Sequence, residues 1–329
     1  MREAEPKLEK GIILLTGAQG QLGLTLLLRS LQTEISHDIY PLSREQFDLA
    51  HPETLPPVLE RLALRFEHYR EIILLNAAAY TQVDLAETHP KEAEVINTIA
   101  VDTMARTCAR LQIRFIQIST DYVFDGAYDQ PYPVDYPPHP ISVYGTTKWH
   151  AEEAVARALP LGEYAIVRTS WLYSPYRQNF YRTMWRLAHE RSELRVVADQ
   201  IGAPSSTESV AEQLFLLCSR REALPPVLHF VNRGETSWYG FAQAIVEKAG
   251  RSHFCKVVPI TTEEYPTAAH RPRNSRLEVS CLDPTTPLCS WQEALRLCPP
   301  PSDPPSIPSL KENPPPSDSP SIPSLKEKK

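Results

Sequence analysis

Short apolar runs alternate with stretches of helical periodicity along the first half of the chain. Gly11–Thr16 (GIILLT) is almost wholly apolar and leads into a glycine turn, after which Gln21–Leu31 carries leucines at helical spacing. Glu71–Leu75 (EIILL), Phe115–Ile118 (FIQI) and Tyr164–Val167 (YAIV) are further apolar runs, and a second strand is expected at Asp38–Leu42. Glu92–Leu111 and Thr147–Leu159 read as intervening helices. Strands without a polar face are buried on both sides, so this alternation predicts an α/β fold, a doubly wound parallel sheet with helices on both faces. After about residue 170 the pattern loosens. Helices near Asn179–Glu190, Ser206–Ser219 and Trp238–Ala249 alternate with proline-bearing loops, which predicts a smaller C-terminal α/β lobe closing over the sheet's carboxyl edge.

Composition adds one boundary. Residues 299–329 hold 11 of the 32 prolines, with no glycine and no aromatic residue. Within them Pro299–Glu312 (PPPSDPPSIPSLKE) recurs at a period of 15 as Pro314–Glu327, differing only at Pro304 and Ser319. Such a segment cannot bury an apolar face, so a disordered tail with polyproline-II character is expected. The predicted division is a cofactor domain over 1–170, a substrate lobe over 171–298 interleaved with it, and the tail over 299–329.

The 329 residues are 42% hydrophobic and 22% charged, with net charge −6, an ordinary globular composition. No basic block points to nucleic acid or an anionic membrane. No apolar run approaches the ~20 residues that span a bilayer. Met1–Lys10 is charged and lacks the apolar core of a signal peptide. Six cysteines at 108, 218, 255, 281, 289 and 298 form no CxxC pair, which fits inert thiols in a reducing, cytoplasmic setting. Collagen, coiled coil, membrane protein and disulfide scaffold are excluded, and no metal is expected.

The first chemical signal is Gly17-Ala18-Gln19-Gly20-Gln21-Leu22-Gly23, G-x-x-G-x-x-G between a strand and a helix. Gly17 permits the tight turn, Gly20 lets a pyrophosphate approach the positive helix N-terminus, and Gly23 allows close helix–strand packing. This is the Rossmann-type setting for a dinucleotide. The acidic residue that would hold an adenosine 2′-hydroxyl is absent, and the second strand ends in Ser43-Arg44. Arg44 suits a 2′-phosphate, so NADPH is expected ahead of NADH, with Asp48 and Leu49 flanking the adenine.

The second signal is Ser119-Thr120-Asp121 at a strand end, followed 24 residues after Thr120 by Tyr144-Gly145-Thr146-Thr147-Lys148. Residues four apart share a helical face, so Lys148 is expected to lower the Tyr144 phenol towards working pH and make it a general acid or base. The Thr120 hydroxyl can hold a substrate carbonyl oxygen.

Further segments complete a pattern: Asn76–Glu87 (NAAAYTQVDLAE), Ser119–Gly126 (STDYVFDG), Val143–Lys148 (VYGTTK), Arg168–Tyr173 (RTSWLY), Asp199–Pro204 (DQIGAP), Gly234–Trp238 (GETSW) and His270–Leu277 (HRPRNSRL). In this order, from about residue 12 to 295, the chain resembles the extended short-chain dehydrogenase/reductases, and within them the dTDP-4-dehydrorhamnose reductase family. The resemblance implies hydride transfer from a nicotinamide to the C4 ketone of dTDP-4-dehydro-L-rhamnose, giving dTDP-L-rhamnose. It assigns proton donation to Tyr144 and the nicotinamide ribose to Lys148. Thr120 and Asp121 match its substrate-contacting pair, and Trp171 the tryptophan that packs on the sugar. Gly20, Gln21, Leu22, Asp48, Leu49, Ala79, Tyr80 and Thr81 match its cofactor-contacting positions. Gln200 and Arg271 read either as nucleotide contacts or as loop scaffolding, and Asn97 either as a helix asparagine or as a support for the lysine.

Thr25 stands where some members carry a glutamate of an intersubunit magnesium site, so that ion is not expected. A homodimer remains compatible with the resemblance. The related 4,6-dehydratases need an Asp-Glu pair after the threonine, whereas Tyr122 follows Asp121 here. Sugar 4-epimerases share the Tyr and Lys but not STDYVFDG. A reductase of another nucleotide 4-keto-6-deoxysugar stays open. So does a regulatory subunit like the methionine adenosyltransferase β subunit, which resembles the same reductases; Thr120, Tyr144, Lys148 and Trp171 together favour catalysis.

Overall fold

The computed structural model describes residues 9–283 and 288–305. The expected tail falls within them only at Pro299–Pro305; its remainder lies outside the described residues.

Five strands appear where the apolar runs place them: β1 (Gly11–Thr16), β2 (His37–Pro41), β3 (Ile72–Asn76), β4 (Arg114–Thr120) and β5 (Tyr164–Thr169). With a sixth, Val227–His229, they form one parallel sheet in the order β2-β1-β3-β4-β5-Val227–His229. Their side chains alternate between two cores. Ile12, Leu14, Leu74, Phe115, Tyr164 and Ile166 pack on one face; Ile13, Leu15, Ile73, Leu75, Ile116, Ala165 and Val167 pack on the other. Two-sided burial removes the polar face, which is why the runs read as continuous.

Helices α1 (Gln21–Gln32) and Thr207–Ser219 contribute to the second core, and α2 (Leu55–Arg65), Ala100–Leu111 and Val143–Ala158 to the first. The chain leaves β1 for β2 on one side and then enters β3 on the other, so a crevice opens beyond the carboxyl ends of β1 and β3. That reversal of strand order is where open α/β sheets take ligands.

A third core, built on Tyr173, Tyr181, Phe241, Ile245 and Trp291, lies around the parallel pair Glu193–Val197 and Lys256–Ile260. Between these two strands the chain returns to the main sheet through Thr207–Ser219 and Val227–His229. Helix starts follow their caps. The side chains of Asn179, Ser206 and Ser237 each accept a backbone N–H three residues on, which places them just outside helices that begin at Phe180, Thr207 and Trp238. The stretch expected as one helix over Glu92–Leu111 runs from Pro90 and contains a π turn at Val95–Ile99.

Candidate active site

The glycine turn has the geometry of an anion cradle. Gly17 has φ +65, and a Cβ there would stand 2.6 Å from the Ala77 carbonyl, so the turns after β1 and β3 touch. Gly20 is the N-cap of α1 and offers no side-chain cap, and the first helical turn carries no acidic residue. Unpartnered N–H groups at a positive helix end fit a pyrophosphate. A Cβ on Gly23 would lie 2.3 Å from the Gly17 carbonyl oxygen, so helix and strand close tightly there.

The other expected cofactor positions divide. Leu22 and Leu49 turn their side chains into the cores, leaving only backbone for a ligand. Gln21 reaches across to the C-terminal lobe, donating to the Leu172 carbonyl at 3.2 Å. Arg44 is exposed in the turn after β2, 3.5 Å from Asp48. Ala79, Tyr80 and Thr81 form the loop after β3. Asn97, in the π turn, accepts from the Tyr80 N–H at 2.8 Å, donates to its carbonyl at 3.1 Å and donates to Thr147 Oγ1 at 3.1 Å. Asn97 therefore fastens the cofactor-side loop to the Tyr–Lys helix. A π turn is a frequent mark of such a functional position.

Ser142 caps Val143–Ala158 by accepting from Gly145 N–H, which starts that helix four residues earlier than Thr147 and places Tyr144 and Lys148 one turn apart on it. Gly145 lets this helix back onto the turn at Asp121–Val123: a Cβ there would be 2.1 Å from the Tyr122 carbonyl oxygen. The close approach brings Thr120, Asp121, Tyr122 and Tyr144 together, with the two tyrosine rings edge-on at 5.9 Å. Thr120 Oγ1 donates to Asp121 Oδ1 at 2.9 Å and accepts from Tyr122 N–H at 3.1 Å.

Burial governs the ionisable groups. It pushes the Asp121 carboxyl up to about 7 against nearby hydroxyl and backbone donors, and Asp121 Oδ2 is buried without a hydrogen-bond partner. It lowers Lys148 to about 8, opposed by the charge of Glu152. Tyr144 is pushed up to about 12, although its hydrogen bond with Thr120 acts the other way. This is opposite to the direction expected from the Tyr–Lys spacing. Desolvation and the Asp121 charge raise the phenol, and Lys148, whose Nζ donates to the Ile118 carbonyl at 2.6 Å, exerts no opposing pull.

Trp171 sits in the left-handed region at φ +45, stacked on Trp238 with ring centroids 3.5 Å apart. Trp238, at the end of GETSW, was given no role by the sequence; its place in a motif beside the RTSW tryptophan was the available signal. Arg271 grips Asp84 through Nη1 and Nη2, at 3.1 and 2.7 Å, joining its segment to the first turn of the helix Val83–Thr88. Gln200 donates to Thr262 Oγ1 at 3.1 Å. These contacts are the scaffolding alternative for both residues. Thr25 bonds Thr207 Oγ1 at 2.7 Å, tying α1 to the helix that begins there.

Comparison with known proteins agrees over this whole frame. The family model described as the RmlD substrate binding domain matches residues 11–300. A dTDP-4-dehydrorhamnose reductase of Burkholderia thailandensis is 39% identical over 301 residues, 87% of this chain and 97% of that protein. One of Sinorhizobium fredii is 40% identical over 292 residues, 85% and 94% of the two chains. The crystal structure of the dTDP-4-dehydrorhamnose reductase of Bacillus anthracis in complex with NADP is 35% identical, with a TM-score of 0.77 over 87% of this chain and 97% of that one. A match of this extent, on a sheet whose carboxyl edge gathers the Thr-Asp strand end and the Tyr–Lys helix, makes the chain a member of the dTDP-4-dehydrorhamnose reductase family.

Proposed function

We propose that this protein reduces the C4 ketone of dTDP-4-dehydro-L-rhamnose with NADPH, giving dTDP-L-rhamnose. The convergence of Thr120, Asp121, Tyr144 and Lys148 at the carboxyl edge of the sheet whose β1 leads into the glycine turn carries the reading, in a family whose relatives above are named for this reduction. In this reading residues up to 170 hold the cofactor and 171–298 the nucleotide sugar, the two interleaved.

NADPH bound along the switch crevice supplies the hydride. The N–H groups at Gln21 and Leu22 would take its pyrophosphate, which Gly20 lets approach the backbone, Arg44 its 2′-phosphate beside Asp48 and Leu49, and Ala79, Tyr80 and Thr81 the opposite wall. Lys148 would hold the nicotinamide ribose. Tyr144, with its phenol pushed up to about 12, keeps its proton through the neutral range, which is the form a donor to a nascent alkoxide needs. After transfer, the hydrogen bond with Thr120 acts to stabilise the phenolate. The unpartnered Asp121 Oδ2 is placed to meet a sugar hydroxyl, and Trp171 offers the sugar an aromatic face.

Among the described residues no helix is long and apolar enough to cross a membrane, and all six cysteines are free. We place the enzyme in the cytoplasm, where thiols stay reduced.

The test is loss of reduced-nicotinamide absorbance with the keto-sugar generated in place from dTDP-glucose, and identification of the product by NMR. Turnover to dTDP-L-rhamnose is expected. A protein that binds NADPH but leaves this sugar untouched would overturn the substrate assignment.

A further inference from the structure

Beneath the Tyr–Lys helix lies a buried ionic network that the reduction does not use directly. Glu152, one helical turn after Lys148, and Arg168, at the end of β5, are 2% and 3% exposed. Arg168 grips the carboxylate from Nε at 3.1 and 3.2 Å and from Nη2 at 2.7 Å. Ser119 Oγ donates to Glu152 Oε1 at 2.5 Å. His229 closes the network: burial and the Arg168 charge push it down to about 3, so it is neutral, with Nδ1 at 3.2 Å from the Glu278 carbonyl and Nε2 at 3.4 Å from Arg168.

The members of this network belong to the segments that build the site. Ser119 precedes Thr120 and Asp121, Glu152 follows Lys148 on its helix, and Arg168 begins RTSW, three residues before Trp171. Lys148 Nζ itself donates to Ile118, the residue before Ser119. We propose that Glu152 is a positioning residue of this site: fixed by Arg168 and Ser119, its carboxylate holds Lys148 in the ammonium form at the end of β4. The proposal rests on the reductase reading for its purpose, but its physical content concerns Lys148 alone.

The energetics favour a role beyond packing. A buried ion pair costs about as much in desolvation as it returns, so two apolar groups of the same shape would serve stability equally well. A buried lysine, by contrast, loses its proton unless a counter-charge stands near it. Other ionisable groups reach this helix: Asp121 and Tyr122 of the strand-end turn act on or contact Tyr144, Glu87 accepts from the Val143 N–H, Asp102 pairs with Arg157, and Arg168 of β5 pairs with Glu152. Among them Glu152 is the charge that acts on Lys148 against burial.

The experiment follows Lys148 by NMR in the full-length protein carrying 13C-labelled lysine, with Lys148→Arg to assign its signal. Glu152→Gln should move the Lys148 titration to lower pH by about one unit, a tenfold rise in its acid dissociation constant, and Glu152→Asp should restore most of it. NADPH affinity in Glu152→Gln should begin to fall at correspondingly lower pH. Glu152→Gln leaves Arg168 buried without its counter-charge. If that variant does not fold, the double variant Glu152→Gln/Arg168→Met removes both charges and should show a smaller displacement in the same direction, because loss of the Arg168 cation offsets part of the loss of the Glu152 anion. A folded variant whose Lys148 titrates as in the parent overturns the proposal and leaves the pair a structural one. Because the NMR reading needs no substrate, a wrong keto-sugar assignment would appear as absent turnover in the parent protein and would leave this result intact.

Discussion

Gly202→Ala probes the sugar side of the site without replacing any residue given a chemical role. A Cβ at position 202 would lie 2.6 Å from Trp171 Cε2, 2.7 Å from Cζ2 and 2.7 Å from Ser275 Oγ. Ordinary contact starts at 3.4 Å, so the indole must retreat by 3.4 − 2.6 = 0.8 Å. It has little room to do so. Its backbone is held at φ +45, and its ring is stacked on Trp238 at 3.5 Å, which Phe180 contacts in turn at 4.6 Å. Overpacking of this kind costs about 1–3 kcal/mol, or a fall in Tm of several degrees in a domain of this size. A shift near 1 Å in a substrate-orienting side chain can cost up to about 10²-fold in turnover efficiency. The expected result is therefore kcat/KM for the keto-sugar reduced on the order of 10²-fold, NADPH affinity retained, and Trp171→Phe giving a loss of the same kind. Steady-state kinetics and a nucleotide-binding titration measure both. A Gly202→Ala enzyme with a lowered Tm but parental kcat/KM would show that Trp171 is packing alone and would refute the sugar-stacking argument.

Tyr144→Phe should lower turnover by roughly 10²–10⁴-fold while NADPH binding, measured by nicotinamide fluorescence, stays unchanged; undiminished turnover would remove the proton-donor role. Arg44→Ala should weaken NADPH roughly tenfold and NADH scarcely, because an exposed guanidinium beside Ser43 contributes through the 2′-phosphate; equal losses in paired titrations would contradict that. Glu71 supplies a pH prediction. Burial would raise its carboxyl, but the His37 imidazole at 3.3 Å and hydrogen bonds from Arg70 and Arg114 hold it down at about 2, against an ordinary value of 4.5. A lowered folded-state value means stability present above the ordinary value and lost as pH falls through the folded one. Glu71→Gln should thus flatten the decline of Tm between pH 4.5 and about 2, and an unaltered decline would place acid sensitivity elsewhere.

What could be read from the chain follows the range of the interactions involved. The sheet was legible because two-sided burial writes itself as local runs such as Gly11–Thr16, and β1 to β5 lie within a residue or two of where those runs put them. Val227–His229 was not, because three residues with one polar member carry no pattern of their own and become a strand only by pairing with β5. Helix starts shifted for a local reason. Ser142, an unremarkable loop serine in sequence, begins the Tyr–Lys helix at Val143 because its hydroxyl accepts the Gly145 N–H.

The candidate site divides along the same line. G-x-x-G-x-x-G and YxxxK are local spacings, and the fold sets them where those spacings require. The ionisation of Tyr144 was misjudged because it depends on solvent removed by distant chain and on Asp121, neither of which the i, i+4 spacing encodes. Trp238 meets Trp171, and Arg168 on β5 meets Glu152 on the Tyr–Lys helix, only when elements separated in sequence pack together. A motif can therefore name the atoms that donate and accept the proton. The energies at which they do so are set by burial and by partners such as Thr120 and Asp121 at Tyr144 and Glu152 at Lys148, and measurements on those partners are what can separate this site from others sharing the same Tyr and Lys.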